Sequence, residues 1–187
     1  MYYYFLFLGL FAARKVLDQL RSKRNVRRLQ EQRQILPSRD RAFPWMLVTH
    51  VAFFVLTPLE VVLLDREFLP TLGIPMIGLF LLAGLLRWWA TSVLKGQWNS
   101  RVIVQADLQP VTSGPYRVMR HPNYLAVSLE LLAAGLIYSA FLSTAVVGVL
   151  HLYAVIKRIH TEEEVLFQIP AYRAAMTNKA RLIPGIY

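Results

Sequence analysis

Long apolar stretches alternate with short polar connections along this chain, and the pattern predicts a bundle of membrane helices. Residues 43–64 and 70–94 are apolar over the roughly 20 residues that an α-helix needs to cross a bilayer. Residues 122–138 and 139–156 are two further apolar stretches with almost no loop between them. For these two we expect a tight helical hairpin that is short for two full crossings.

The N-terminal part of the chain predicts one helix in the membrane, followed by one helix along its surface. Residues 1–17 begin with an apolar, aromatic run without a preceding positive charge, whereas a secretory signal carries its charge before the apolar core. We therefore expect a short first membrane helix, with a re-entrant or interfacial helix as the alternative. Residues 14–41 alternate basic and apolar residues, which predicts a helix lying along the lipid headgroups. The expected fold class is all-α, with about five membrane helices.

Composition and charge indicate how this bundle is oriented. Hydrophobic residues make up 56% of the 187 positions and charged residues only 17%, which argues against disorder and against an ordinary soluble domain. The net charge is +10, and ten of the 21 Lys and Arg residues fall within residues 14–41. This clustering indicates a cytoplasmic segment facing anionic lipid rather than a nucleic-acid site. The connection at 65–67 then lies outside, and the polar segment 95–121 returns to the cytoplasmic face.

The densest polar chemistry lies in residues 112–124, Thr-Ser-Gly-Pro-Tyr-Arg-Val-Met-Arg-His-Pro-Asn-Tyr. Gly114-Pro115 predicts a turn, and Pro122 is well placed as the first residue of a helix. The arginines, histidine and tyrosines in between suit a polar ligand that carries both charge and an aromatic ring. We expect one membrane domain, in which residues 1–94 supply membrane helices and residues 95–187 supply the site.

Three further groups of residues could carry chemistry. Glu130 lies within an apolar helix, where a carboxylate normally faces a polar cavity or a partner; a buried structural hydrogen bond is the alternative. His151, Arg158 and Glu162 are spaced so that one face of the last long helix presents all three. Trp98 could shape the mouth of a substrate site.

Several kinds of site are not predicted. The chain has no cysteine, and its four histidines are scattered without a metal-ligand pattern, so we expect no metal. Nucleotide fingerprints, phosphate loops and a nucleophile elbow are also absent. The sequence does not indicate an oligomeric state.

Two motifs, in this order, resemble the isoprenylcysteine carboxyl methyltransferases and their bacterial relatives, which are integral membrane enzymes that use S-adenosylmethionine. The first is Gly114-Pro115-Tyr116-Arg117 followed by Arg120-His121-Pro122-Asn123-Tyr124, and the second runs from Arg158 to Glu163 before an amphipathic tail. Gly96-Gln97-Trp98 lies upstream. The resemblance extends from Arg87 to the C-terminus.

The resemblance implies a site residue by residue. Arg158 and Glu162 would be the catalytic residues, with Arg158 at the reacting end of the acceptor. Trp98, Asn99 and Glu130 are further candidates for acceptor binding. The family often has histidine and leucine where this chain has Leu108 and Pro110, and glycine where it has Ala126. The residues implied to hold S-adenosyl-L-methionine are Gln105, Leu108, Gln109, Pro110, Val111, Tyr116, His121, Pro122, Asn123, Tyr124 and Glu162.

The acceptor and the activity retain alternatives at this stage. A lipid or prenylated carboxylate is already ionised and needs only Arg158 to orient it. A phenolic or polyketide lipid hydroxyl needs a general base, for which Glu162, His151 or Glu130 are candidates. An NADPH-dependent membrane reductase that resembles the sterol reductases and a non-catalytic scaffold that binds headgroups are the other two hypotheses.

Overall fold

The computed structural model describes residues 2–32, 35–36, 42–105 and 107–185 of the chain. Within these residues the protein is predominantly helical, which confirms the predicted all-α fold class. Two short strands, β1 (Ile35–Leu36) and β2 (Val104–Gln105), pair antiparallel. The α-helices are α1 (Tyr2–Gln32), α2 (Phe43–Leu63), α3 (Pro70–Leu94), α4 (Pro122–Leu136), α5 (Phe141–Leu166) and α6 (Pro170–Met176).

Among the described residues, three helices are long and apolar enough to cross a membrane: α2, α5, and α3 together with the 3₁₀ turn that extends it to Gln97. Their mean hydropathies are 2.0, 1.4 and 1.6, respectively. The outward face of α3 exposes leucines such as Leu81, Leu82 and Leu85, which suits contact with lipid chains. The protein is therefore an integral membrane protein. Helix α4 has only 15 residues, or about 22 Å at 1.5 Å per residue, so it is short of the roughly 30 Å hydrocarbon core.

The N-terminal segment differs from the two-part prediction. The short membrane helix and the basic helix predicted within residues 1–41 form one continuous helix, α1. The physical reason is that no glycine or proline occurs between Gly9 and Pro37, so nothing interrupts the helix where its composition changes from apolar to basic. Residues 1, 33–34 and 37–41 of the predicted segments lie outside the described residues.

The C-terminal half contains the predicted hairpin, but its second arm is longer than predicted. Helix α4 begins at Pro122, as expected from the sequence, and a turn at residues 137–140 leads directly into α5. We expected this arm to end near Ile156, whereas α5 continues to Leu166. Between Gly148 and Pro170 the chain has no helix breaker, so the helix extends past its apolar part and presents charged residues beyond it.

Helix packing leaves the connection between α3 and α4 at one end of the bundle. Helix α3 packs along α4, and α2 packs along α5. Phe11 fastens α1 to both pairs, because its ring lies edge-on to Phe53 of α2 and Phe80 of α3, with centroid distances of 6.2 and 5.0 Å. Such pairs add specific contacts to the apolar core. Residues 95–121 therefore cover the end of the bundle where α4 begins and α5 ends.

Candidate active site

The covering segment of residues 95–121 is shaped by its glycine and proline residues. After β2 it forms a 3₁₀ turn, Gly114–Arg117, which confirms the turn predicted at Gly114-Pro115. Gly114 has a φ of +59°, and a Cβ atom there would lie 3.0 Å from Nε1 of Trp89. Only glycine combines this backbone conformation with so close an approach to α3. The turn sets the position of Tyr116, which is buried beneath it.

A cavity lies between the covering segment, the start of α4 and the end of α5. Tyr172 and Met176 of α6 also line it. Its volume is about 130 Å³. The wall combines aliphatic, aromatic and charged side chains in a small space. The lining residues are Leu94, Gln97, Trp98, Asn99, Arg101, Val102, Ile103, Val104, Leu108, Gln109, Pro110, Val111, Tyr116, Arg120, His121, Asn123, Tyr124, Arg158, Glu162, Leu166, Tyr172 and Met176.

Arg158, Tyr124 and Glu162 form a hydrogen-bonded chain on the cavity wall. Nε of Arg158 donates to the Tyr124 hydroxyl at 3.0 Å, and that hydroxyl donates to Oε2 of Glu162 at 2.5 Å. Nη2 of Arg158 donates to the backbone carbonyl of Ser100 at 2.6 Å. Arg158 is 3% exposed, so these bonds form where water competes little. The chain joins α4, α5 and the covering segment at a single point.

Glu163, the neighbour of Glu162, holds the histidine motif in place from outside the cavity. Its Oε1 lies 3.1 Å from Nε2 of His121 and 3.3 Å from Nη1 of Arg120. Its Oε2 accepts a 3.0 Å hydrogen bond from Nε of Arg181 near the C-terminus. The backbone N–H groups of Arg120 and His121 also donate to the carbonyls of Ala180 and Arg181. Glu163 belongs to the second motif, but its position in the sequence did not predict a role for it.

Two polar atoms on the cavity wall are buried without a hydrogen-bond partner among the described residues. They are the donor Nε1 of Trp98 and the acceptor Oδ1 of Asn123. Buried polar atoms are normally paired, so an unpaired donor and an unpaired acceptor on residues that line one cavity suit a polar ligand there. Burial raises the pKa of the Tyr116 hydroxyl, which therefore stays protonated and able to donate.

Most residues predicted for the site line this one cavity, and three do not. Gln105 is buried and lines a neighbouring cleft that also includes Gln109, Pro110 and Val111. Pro122 is buried at the first turn of α4, where it starts the helix. Glu130 lies more than two turns further along α4 and contacts other groups. Trp98 and Asn99 do line the cavity.

Glu130 is the centre of a buried ion-pair network that joins three helices. Its carboxylate pairs with Arg14 and, at 3.0 Å, with Lys15, both on α1. Nη1 of Arg87 on α3 lies 3.5 Å from Glu130, and Nη2 of Arg87 lies 2.7 Å from Asp18. Glu130 itself is fully buried. The alternative considered from the sequence, a structural role, fits this placement, and the network fixes the register of α1 against α3 and α4.

His151 occupies the predicted face of α5 but lies two turns from Arg158, outside the cavity lining. Its Nδ1 is 3.4 Å from the Thr49 hydroxyl, and its ring lies edge-on to that of His50 at 5.6 Å between centroids. Among the described residues, no three His, Asp or Glu side chains are close enough together to hold a metal ion.

Helix α1 contributes to the site in a way that sequence analysis did not anticipate. Nδ2 of Asn25 donates to the carbonyl of Trp98 at 2.6 Å, and the backbone N–H of Ser100 donates to Oγ of Ser22 at 2.7 Å. These bonds hold the strip of residues 98–100 against α1. Ser22 and Asn25 are both buried. No periodic signal indicates such contacts, because the partners are more than 70 residues apart in the chain.

Comparison with known proteins identifies the family of the chain. Residues 76–168 match the model of the isoprenylcysteine carboxyl methyltransferase (ICMT) family. The chain is also 31% identical over 127 residues to the uncharacterized protein YpbQ of Bacillus subtilis (strain 168), a match that covers 66% of this chain and 73% of that protein. The family match includes α4, most of α3 and the whole Arg158-Tyr124-Glu162 chain. The protein therefore belongs to the isoprenylcysteine carboxyl methyltransferase family and is a membrane methyltransferase.

Proposed function

We propose that this protein transfers the methyl group of S-adenosyl-L-methionine to an oxygen atom of a lipophilic acceptor, and that the cavity is the site of transfer. The observation that carries the proposal is the buried chain from Arg158 through Tyr124 to Glu162 on the cavity wall. In this chain the guanidinium of Arg158 suits an anionic methyl acceptor. The nearby carboxylate of Glu162 suits the positively charged methyl donor.

The cavity residues fit the chemical groups of S-adenosylmethionine, which is a sulfonium cation with an amino-acid head and an adenine. Glu162 supplies a negative charge, and the rings of His121 and Tyr124, with centroids 5.5 Å apart, supply aromatic surface. The unpaired atoms of Trp98 and Asn123 supply a donor and an acceptor. Bound there, the cofactor would present an activated methyl group. Gln109 to Val111 would contribute from the covering segment.

Ligand binding requires this site to open. Its volume of about 130 Å³ is smaller than the roughly 300 Å³ at which small-molecule sites begin. The bond of Arg158 to the Ser100 carbonyl joins α5 to the covering segment, so movement of that segment away from the helices would break this bond. Arg158 would then be released to the acceptor. Closure around both substrates excludes water and aligns the reacting atoms, which is the main source of rate in a displacement of this kind.

A carboxylate of a lipid or prenylated compound is the first candidate acceptor. It is already ionised at neutral pH, and the planar guanidinium of Arg158 can hold it through paired hydrogen bonds. The methyl group then passes to a carboxylate oxygen, and no proton has to move. The long exposed apolar faces of α2, α3 and α5 suit contact with the bilayer in which such an acceptor would be dissolved.

A phenolic or polyketide lipid hydroxyl is the second candidate, because a carboxylate lies within the same hydrogen-bonded chain. Glu162 would accept the proton of the hydroxyl, directly or through Tyr124, while the oxygen takes the methyl group. The two acceptors are distinguished by the product. Methyl transferred from labelled S-adenosylmethionine to a lipid extract is released by mild base from an ester and is retained in an aryl ether.

Calorimetric titration of the detergent-purified protein tests the cofactor. We expect S-adenosylmethionine to bind, NADPH not to bind, and His121→Ala to weaken binding of S-adenosylmethionine because it disturbs the ring beside Tyr124. Selective binding of NADPH would move the protein to reductase chemistry. Binding of neither compound would support a scaffold instead.

A further inference from the structure

The C-terminal half of α1 carries a concentration of positive charge. Arg21, Arg24 and Arg28 follow one another at intervals of three and four residues, so they share one face of the helix. Together with Lys95, at the end of α3, they line an open cleft of about 300 Å³. Among the described residues, none of the four forms an ion pair with a carboxylate, and no acidic side chain lines the cleft. Four cations held around one space attract an anion with several oxygen atoms.

The cleft lies where a lipid headgroup would be found. The membrane-length helix that contains α3 ends at Gln97, directly beside Lys95. Trp88 and Trp89, two turns earlier, are largely exposed, and tryptophan is typical of the interface between hydrocarbon and headgroups. Both features suit a cleft at the depth of lipid phosphate groups. Anionic phospholipids bring phosphate to this depth at high local concentration.

The same face of α1 is connected to the candidate active site. The guanidinium of Arg21 lies 5.8 Å from the centroid of the Trp98 ring, and Asn25, one turn along, holds the carbonyl of Trp98. The adjacent Ser22 holds the N–H of Ser100, whose carbonyl in turn accepts a hydrogen bond from Arg158. An anion that fixes α1 beside Lys95 would therefore also fix the strip that contacts Arg158.

We propose that Arg21, Arg24, Arg28 and Lys95 form a binding site for the phosphate group of an anionic phospholipid, and that the bound headgroup holds residues 98–100 in place. The guanidinium groups donate to the phosphate oxygens, as arginine does in most phosphate sites. The lipid chains then lie along the exposed side of α3. The proposal does not depend on the identity of the methyl donor, because neither binding nor ordering of this strip requires it.

The test uses the full chain in an uncharged detergent, titrated separately with dihexanoyl-phosphatidylglycerol, dihexanoyl-phosphatidylcholine and inorganic phosphate. The first readout is the dissociation constant, and the second is the hydrogen-exchange rate of residues 98–101. The test variant is Arg24→Gln/Arg28→Gln. The matched control is Lys23→Gln/Arg27→Gln, which removes the same charge from exposed positions of α1 outside the cleft.

We expect phosphatidylglycerol to bind best and to slow exchange at residues 98–101 in the unmodified protein and in the control. The test variant should bind it at least about tenfold more weakly, because hydrogen bonds to charged groups are lost, and should show no slowing. If both variants bound phosphatidylglycerol equally weakly, the effect would be general charge attraction, and the proposal of a specific phosphate site would be wrong. Equal binding of inorganic phosphate would show a site for a soluble anion, and binding without slower exchange would overturn the link to the active site.

Discussion

Two of the hydrogen bonds of Arg158 require the separate nitrogens of a guanidinium. Its Nε reaches Tyr124, and its Nη2 reaches the Ser100 carbonyl. Lysine keeps the charge but has a single nitrogen, so it cannot span both partners or present a paired contact to an acceptor. We expect Arg158→Lys to lower kcat about 100-fold, as misplacement of a reacting group does, while S-adenosylmethionine affinity changes little. Steady-state kinetics and calorimetry separate the two quantities.

The matched control for this change is Arg173→Lys on α6. Arg173 also holds a backbone carbonyl through two nitrogens, that of Phe167, but it does not line the cavity. Its replacement should leave kcat unchanged. Equal losses of turnover and cofactor affinity in Arg158→Lys would contradict the orienting role.

Glu162 and Glu163 are adjacent in sequence but contact different groups, because neighbouring residues on a helix point about 100° apart. Glu162→Gln keeps an oxygen for the Tyr124 hydroxyl and removes the negative charge from the cavity. We expect S-adenosylmethionine binding to weaken by about tenfold, the scale of one charge-assisted interaction. An unchanged calorimetric affinity would exclude Glu162 from the cofactor site.

At the scale of elements, Glu163 joins α5 to the start of α4 and to the C-terminal segment. Glu163→Gln removes the charge that faces Arg120, His121 and Arg181. We expect a loss of about 2 kcal/mol of stability, since hydrogen bonds to charged groups contribute on that scale, and faster hydrogen exchange at residues 119–121 and 179–181. Glu164→Gln, at an exposed position beside it, is the control. Equal exchange in the two variants would show that Glu163 does not fasten these segments.

The ion-pair network of Glu130 fastens α1 to α3 and α4. Glu130→Gln leaves Arg14, Lys15 and Arg87 without their common partner inside the bundle. Removing one member of a buried pair costs about 3 kcal/mol or more, so we expect a clearly lower melting temperature in detergent. Cofactor affinity at low temperature should stay within about twofold, since Glu130 is outside the cavity lining. A normal melting temperature with impaired turnover would instead place Glu130 at the acceptor, as first considered from the sequence.

The sequence was most informative where local chemistry decides the structure. Apolar length located α2 and α3, and proline and glycine located the turn at Gly114 and the start of α4 at Pro122. The partners of Glu130 and the contact of Asn25 with Trp98 could not be predicted in this way. Helical periodicity tells which residues share a face, but it does not tell which distant helix covers that face. The continuous course of α1 was hidden for a different reason, since its change in composition resembles the boundary of a helix.

At the scale of the whole molecule, the contacts of the cavity with α1 allow a prediction of the side of the membrane that the cavity faces. Asn25 and Ser22 touch the strip at Trp98 and Ser100, so the basic half of α1 and the cavity share one end of the bundle. The α2–α3 connection lies at the other end, because α3 is 25 residues long, or about 37 Å. Basic segments are enriched on the cytoplasmic side of membranes, so we predict that the cavity is open to the cytoplasm and its soluble cofactor.

The absence of cysteine from the chain makes this orientation directly measurable. Lys23→Cys and Glu67→Cys each introduce one thiol at an exposed position, the first on α1 and the second in the α2–α3 connection. We expect a membrane-impermeant maleimide to label Glu67→Cys in intact cells, and to label Lys23→Cys only after the membrane is permeabilised. Both thiols should react equally in detergent, which controls for access. The reverse pattern in intact cells would place the cavity outside, where S-adenosylmethionine made in the cytoplasm could not reach it.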